Sequence, residues 1–164
     1  MRIRMVMVIL AAMLLLSACG GQETFETIAD IHVQAAVSEH RAVHVAVPQN
    51  ASAPAAQGES GKYYICGDYE MWVQTLPGGD VAKTVKEVSG FDREDLTVLR
   101  QETGGIRRYD FVWTSAGENG AKIGRAAVLD DGNYHYVLTA MCDALDAQQV
   151  RKDWDTVFHS FSLG

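Results

Sequence analysis

The chain predicts an α+β fold, with one antiparallel sheet of about six to seven strands packed by two helices. Three observations carry this. Short β-rich runs are separated by glycine-bearing turns at Gly67-Asp68, Gly104-Gly105, Gly117 to Gly120 and Asp131-Gly132, which is the rhythm of consecutive hairpins. Two stretches carry apolar residues three and four apart, as a helix needs to bury one side. The helices are set apart by runs of strands and there is no internal repeat, so the layout is α+β rather than a solenoid or a parallel α/β sheet.

Taken in order, Ala42 to Val47 is β-rich and Pro48 ends it. Residues 50–61 are mostly small and polar and read as a loop. Lys62 to Cys66 and Tyr69 to Leu76 form a hairpin, and Pro77-Gly78-Gly79 breaks the chain. Asp80 can cap a helix from Val81 to Ser89, with Val81, Val85 and Val88 on one side and Gly90 as its stop. Strands follow at Leu96 to Thr103, Ile106 to Thr114, Ala121 to Leu129 and Asn133 to Met141, the later ones as a tight-turned meander. In the second of these, Tyr109, Phe111 and Trp113 share one face and Arg108 and Asp110 the other. A last helix runs from about Ala144 to His159, with the stripe Ala147, Val150, Trp154, Val157, Phe158 and Phe161. Asp143 or Asp146 could cap it, and Gln149 completes a capping-box spacing with Asp146. The order is roughly β-β-β-α-β-β-β-α.

The region from Tyr63 to Leu163 resembles the PsbP-like fold class, a curved antiparallel sheet packed by helices. Its carriers are Arg108-Tyr109-Asp110, Gly124-Arg125-Ala126, Asp131-Gly132-Asn133-Tyr134-His135-Tyr136 and Phe158-His159-Ser160-Phe161. The resemblance brings no catalytic residue. It implies a binding or assembly-stabilising module.

The N-terminus supplies an address. Arg2 and Arg4 precede an unbroken apolar run of twelve residues, Met5 to Leu16, which is too short to span a bilayer and right for a secretory signal. Leu16-Ser17-Ala18-Cys19 then resembles the lipobox of bacterial lipoproteins. That resemblance implies a signal peptide over 1–18, cleavage between Ala18 and Cys19, and acyl chains on Cys19 that hold the protein to the membrane, each buried methylene contributing about 0.8 kcal/mol. It places the protein outside the cytoplasm. Gly20-Gly21 is not an aspartate-type inner-membrane signal, so a two-membrane host would carry the protein on its outer membrane. Residues 19–40 would form the lipidated tether, with 25–37 apolar enough to add an edge element. Residues 41–164 would form a single globular domain.

Charge narrows the partners. The whole chain carries −7, and without residues 1–18 the remaining 146 residues hold 12 basic and 21 acidic side chains, a net −9. Such a surface excludes nucleic acid as a partner, because phosphate recognition needs clustered Lys and Arg. It also leaves membrane attachment to the acyl anchor. With Cys19 acylated, Cys66 and Cys142 remain. Outside the cytoplasm they can form a disulfide contributing roughly 4 kcal/mol on the chain-entropy model, or stay as two buried free thiols.

No catalytic, cofactor or metal motif emerges. There is no Gly-x-Ser-x-Gly or Ser-x-x-Lys, and Ser115 reads as a turn residue. The histidines at 32, 40, 44, 135 and 159 lack zinc-ligand spacing, and His44 and His135 would meet only if their strands were neighbours. Neither Asp92-Arg93-Glu94-Asp95 nor Asp130-Asp131-Gly132-Asn133 follows the calcium-loop pattern. Glu70 and Asp110 are the best carboxylate pair for glycoside chemistry, if they face one cleft.

Tyr63, Tyr64, Tyr69, Trp72, Tyr134 and Tyr136 are the most informative group. Tyr134 and Tyr136 alternate with His135 and Val137, so both faces of their strand carry bulk. One set could line a ligand groove made of Tyr64, Trp72, Tyr134, Tyr136 and Arg125, or all could pack on the sheet. Arg107, Arg108 and Arg125 could bind an anion there, or pair with Asp110 and other acids. The expected role is a non-enzymatic module at the cell envelope that binds a small molecule, a peptide or a partner protein. The alternatives are an envelope hydrolase with an unfamiliar site and a structural accessory of a larger complex.

Overall fold

A computed structural model describes residues 39–164, apart from 53, 59, 60 and 119. They belong to one compact unit, 38–164. The signal peptide, Cys19, the tether as far as residue 38 and the edge element at 25–37 lie outside the described residues. Among the described residues, no helix is long and apolar enough to cross a membrane.

The elements are β1 (Val43–His44), β2 (Ala56–Gly58), β3 (Gly61–Ile65), β4 (Tyr69–Pro77), α1 (Val81–Ser89), a 3-10 turn at Arg93–Asp95, β5 (Leu99–Thr103), β6 (Ile106–Gly117), β7 (Gly120–Asp130), β8 (Tyr134–Asp143), α2 (Ala147–Ser160) and β9 (Ser162–Leu163). Seven strands make one antiparallel sheet in the order β2-β3-β4-β8-β7-β6-β5. Two meanders, β2-β3-β4 and β5-β6-β7-β8, are therefore joined edge to edge where β4 pairs with β8. Four strands lie between the helices, as the four runs read one by one from the sequence have it and not as the three of the compressed order.

The two helices cover opposite faces. On one, Val85 of α1 packs with Tyr109, Phe111, Trp113, Ala126, Val128 and Val137. On the other, Val150, Trp154, Val157 and Phe158 of α2 pack with Met71, Leu129, Tyr136, Leu138 and Ala140. Alternation along a strand then buries both sets of side chains in the central strands. Residues 126–130 of β7 and 135–140 of β8 are buried without a break.

Local chemistry sets most boundaries. Asp80 accepts the Ala82 N–H at 2.9 Å and caps α1, and Gly90 ends it at φ +81°. Gly104 and Gly105, at φ +59° and +80°, give the two-residue turn that joins β5 to β6. The Asp131 carboxylate accepts the N–H groups of Asn133 and Tyr134 and closes the β7–β8 turn. At α2, Asp146 occupies the cap position but makes no side-chain cap bond. Gln149 reaches instead to Asp68 at 2.6 Å, so the capping box expected there is absent. The predicted strand at 42–47 shrinks to two residues because its only partner is the short β9, and Ala56–Gly58 of the predicted loop adds an edge strand.

Trp113 lies directly across from Gly124, and its indole covers the space a Cβ there would need. Gly124→Ala should cost about 1–3 kcal/mol by overpacking, seen as a lower urea midpoint at unchanged slope. A fully neutral outcome would mean the indole has room to move.

Residues 41–46 strap the N-terminal end of the domain to its C-terminus. Arg41 N donates to Tyr136 Oη (2.9 Å), Arg41 Nε to the Gly164 carbonyl (3.0 Å), and Ala46 N to Ser160 Oγ (2.7 Å). Tyr136 Oη in turn donates to Asp131 Oδ2 at 3.0 Å. Burial pushes the Asp131 pKa up, but the Tyr134 and Asn133 N–H groups, the Tyr136 hydroxyl and the Arg41 charge outweigh it, so the carboxyl sits below its ordinary 3.8. A carboxyl depressed on folding stabilises the fold above its unfolded pKa, and that stabilisation is lost as pH falls through the folded value. Urea stability should drop between about pH 5 and pH 2, and Asp131→Asn should flatten part of that drop.

Candidate functional site

The five residues of the predicted groove do not share one. Tyr136 is fully buried beneath α2. Tyr134 is half-buried on the same face, its ring 4.3 Å from that of His40. Tyr64 packs at the edge of the same core. Arg125 lies on that face too, with Nη1 3.1 Å from Asp155 Oδ1 and its guanidinium 4.3 Å above the Phe158 ring. Trp72 points from β4 to the opposite face, since its neighbours Met71 and Val73 pack under α2. The bulk on both sides of β8 is explained by two helices on two faces, not by an open groove.

A depression does run beside the C-terminal half of α2. One cavity of about 600 Å³ is lined by Leu99, Gln101, Arg108, Asp110, Arg125 and Asp155, among others. A second of about 340 Å³ continues it, sharing Gln101 and Arg108 and reaching Arg41 and Leu163. Its arginines are already engaged. Arg108 holds Asp110 through two bonds (Nε–Oδ2 2.7 Å, Nη2–Oδ1 3.0 Å) and also donates to the carbonyls of Phe158 (2.9 Å) and Phe161 (3.2 Å). Arg125 pairs with Asp155 at 3.1 Å, while Arg107 lies on the opposite face and pairs there with Asp130 at 2.9 Å. These cations hold the helix end and strands together, which leaves little for an anion to recognise. Asp110 lies on this face and Glu70 shares the Trp72 face, so the two carboxylates cannot flank one glycosidic bond.

One polar cluster escaped the sequence reading. Thr84 Oγ1 on α1 is 2.7 Å from His135 Nδ1, and His135 Nε2 is 3.7 Å from Asp130 Oδ2. The residue types suggest a nucleophile, a base and an acid. However, Thr84 is 5% exposed, His135 1% and Asp130 3%, and none of the three lines any of the cavities described. The geometry pins α1 to the sheet and offers no access to substrate. The Asp130-Asp131-Gly132-Asn133 loop is likewise absorbed by its own turn bonds and Arg107.

Cys66 and Cys142 are free, buried thiols on either side of Tyr69, which pairs with Cys142 across the sheet. The disulfide that the sequence allows is not formed in this structure. Burial pushes both thiols above their ordinary pKa, which makes them poor nucleophiles. His44 pairs through β1 with β9 and does not neighbour His135. Among the described residues no three His, Cys, Asp or Glu side chains cluster as metal ligands.

The concavity with exposed aromatic surface is on the other side of the sheet, at its β2–β4 end. It measures about 490 Å³ and is lined by Ala56, Gln57, Gly61, Lys62, Tyr63, Trp72 and Gln74. Tyr63 and Trp72 are direct cross-strand partners, with ring centroids 4.8 Å apart and planes 39° apart. The cavity stays open because the positions flanking Tyr63 are small. Ala56 faces it across β2–β3, and Gly61 precedes it on the same face, where a Cβ would come within 2.7 Å of the Val73 carbonyl oxygen. Burial, and then the neighbouring Glu70 charge, raise the Tyr63 pKa, so its hydroxyl keeps its proton. Of the predicted groove residues only Trp72 belongs here. Tyr63 was legible as its partner, since four steps out from Gly67 and from Asp68 reach Tyr63 and Trp72.

No protein-family profile matches the chain, and no curated protein matches it in sequence. Solved structures do match. Cyanobacterial PsbP (CyanoP) from Synechocystis sp. PCC 6803 superposes with a TM-score of 0.54 at 14% identity, over 74% of this chain and 86% of that one. A protein of Bacteroides thetaiotaomicron VPI-5482 gives 0.51 at 10% identity, over 74% of this chain and 45% of that one. LpqN of Mycobacterium tuberculosis, described as involved in cell envelope biogenesis, gives 0.48 at 9% identity, over 77% and 86%. At such identities the likeness to the first two is one of architecture. The seven-stranded antiparallel sheet with its two helices is a PsbP-like α+β fold.

Proposed function

We propose that this chain is a lipid-anchored protein of the bacterial cell envelope whose domain is a non-enzymatic binding module. The anchor reading rests on the order of charged, apolar and small residues ending at Cys19. The binding reading rests on one observation, the Tyr63–Trp72 cleft. It is concave, presents aromatic surface and contains no acid, base and nucleophile set. A hydrolase would need reacting side chains that converge in a cavity. The cluster nearest to that description, Thr84-His135-Asp130, is shut inside the core.

Expression in a bacterial host tests the anchor. The wild-type protein should sediment with membranes, partition into detergent and show an intact mass that begins at an acylated Cys19. Cys19→Ala should move it to the soluble fraction or leave its signal uncleaved. A wild-type product that keeps Met1, or begins at an unmodified residue, refutes the anchor.

A further inference from the structure

The cleft also carries information about what it binds. We infer that the Tyr63–Trp72 cleft takes a neutral carbohydrate, a short run of hexopyranose rings laid against the stacked aromatic pair. This rests on the binding-module reading above and goes beyond it by naming the ligand class.

Aromatic rings present a negative face, which attracts the weakly positive axial C–H groups of a pyranose. The two rings, joined across neighbouring strands with centroids 4.8 Å apart and planes 39° apart, stack partly on each other, so the pair offers a sugar one aromatic surface rather than two side by side. Gln74, two residues along β4 from Trp72 and on the same face, lines the cleft, and a side-chain amide offers both a donor and an acceptor, the pair that vicinal sugar hydroxyls require. Lys62, the only cation in the lining, projects to the opposite face through its pairing with Val73, and the Glu70 carboxylate beside Tyr63 would repel a phosphate, so an anionic ligand is disfavoured. The volume of about 490 Å³ falls in the range of small-ligand sites, and seven lining residues are far fewer than the roughly 20–30 per side of a stable protein interface. A lipid tail would want an apolar channel, and the amide would be stranded against it.

Tryptophan fluorescence of the full-length chain in detergent provides the test, because Trp113 and Trp154 are 5% and 7% exposed while Trp72 opens on the cleft. The probes are a panel of neutral tetrasaccharides, including β-1,4- and α-1,4-linked glucose and N-acetylglucosamine series, beside a neutral aromatic tetrapeptide. At least one tetrasaccharide should shift the emission saturably and shield it from acrylamide. Isothermal titration calorimetry with the same sugar should then show affinity falling by about tenfold or more in Trp72→Ala and in Tyr63→Ala, and less in Trp72→Phe. Gln74→Ala should weaken binding while leaving the near-ultraviolet dichroism of the fold intact. Sedimentation with insoluble chitin or starch separates an envelope polymer from a free oligosaccharide as the source, and either result supports the inference. Trp72-dependent binding of the tetrapeptide alone would overturn the carbohydrate and keep the binding module. Sugar binding that survives both aromatic substitutions would place the site elsewhere and overturn the inference. No response to any probe from a folded chain would overturn both readings.

Discussion

Phe158→Ala is expected to cost about 3–5 kcal/mol, the range for removing a fully buried aromatic ring without refilling its space. Phe158 is 0% exposed and sits where three parts of the structure meet. Its ring packs 6.4 Å from that of Trp154 and lies under the Arg125 guanidinium, and its core neighbours include Leu129, Leu138 and Val157. Small residues such as Ala127 and Ala140 are too short to move into the cavity. For a domain of this size the melting temperature should fall by on the order of 10–20 °C. Phe158→Leu keeps most of the volume and should lose only about 1–2 kcal/mol. Differential scanning calorimetry of the two variants checks both values, and equal losses would mean that the aromatic stacking rather than the filled volume is what α2 depends on.

Arg108→Ala should destabilise by about 2–4 kcal/mol, although the residue is partly exposed. Its guanidinium makes four bonds, two to Asp110 and one each to the carbonyls of Phe158 and Phe161. The carbonyls belong to the C-terminal end of α2, where unpaired acceptors and the negative end of the helix dipole both favour a cation. Alanine strands those acceptors and leaves the Asp110 carboxylate, 22% exposed, without its counter-charge. Arg108→Lys restores the charge but not the planar fork, and should recover only part of the loss. Hydrogen exchange gives the specific readout. Amides in the last turn of α2 should lose protection well before those of β7 and β8. In a double-mutant cycle with Asp110→Ala, the combined loss should be smaller than the sum of the single ones.

These two residues show where reading the chain succeeds and where it stops. The stripe that includes Phe158 follows from spacing alone, and Val150, Trp154, Val157 and Phe158 are all buried as a 3.6-residue period requires. Arg108 was placed on the face opposite Tyr109 by alternation, and it is there. That it clamps the end of a helix some fifty positions later could not be read from its own neighbourhood. The expected groove failed for the same reason. Alternation separated Tyr134 and Tyr136 from His135, but whether a face is core or cleft depends on what lies over it, and α2 covers the tyrosines.

The order of elements from β3 to α2, the turns at Gly67, Gly104-Gly105 and Gly132, and the Asp80 cap were legible along the chain, because each rests on residues a few positions apart. The pairing of β4 with β8, the placing of the helices on opposite faces, the burial of His135 with Thr84 and Asp130, and the opening of one aromatic pair to solvent emerged only on folding. Each of these depends on contacts between segments far apart in sequence. No local pattern says which of two apolar faces will be covered, and that choice decides whether a tyrosine holds the core together or meets a ligand.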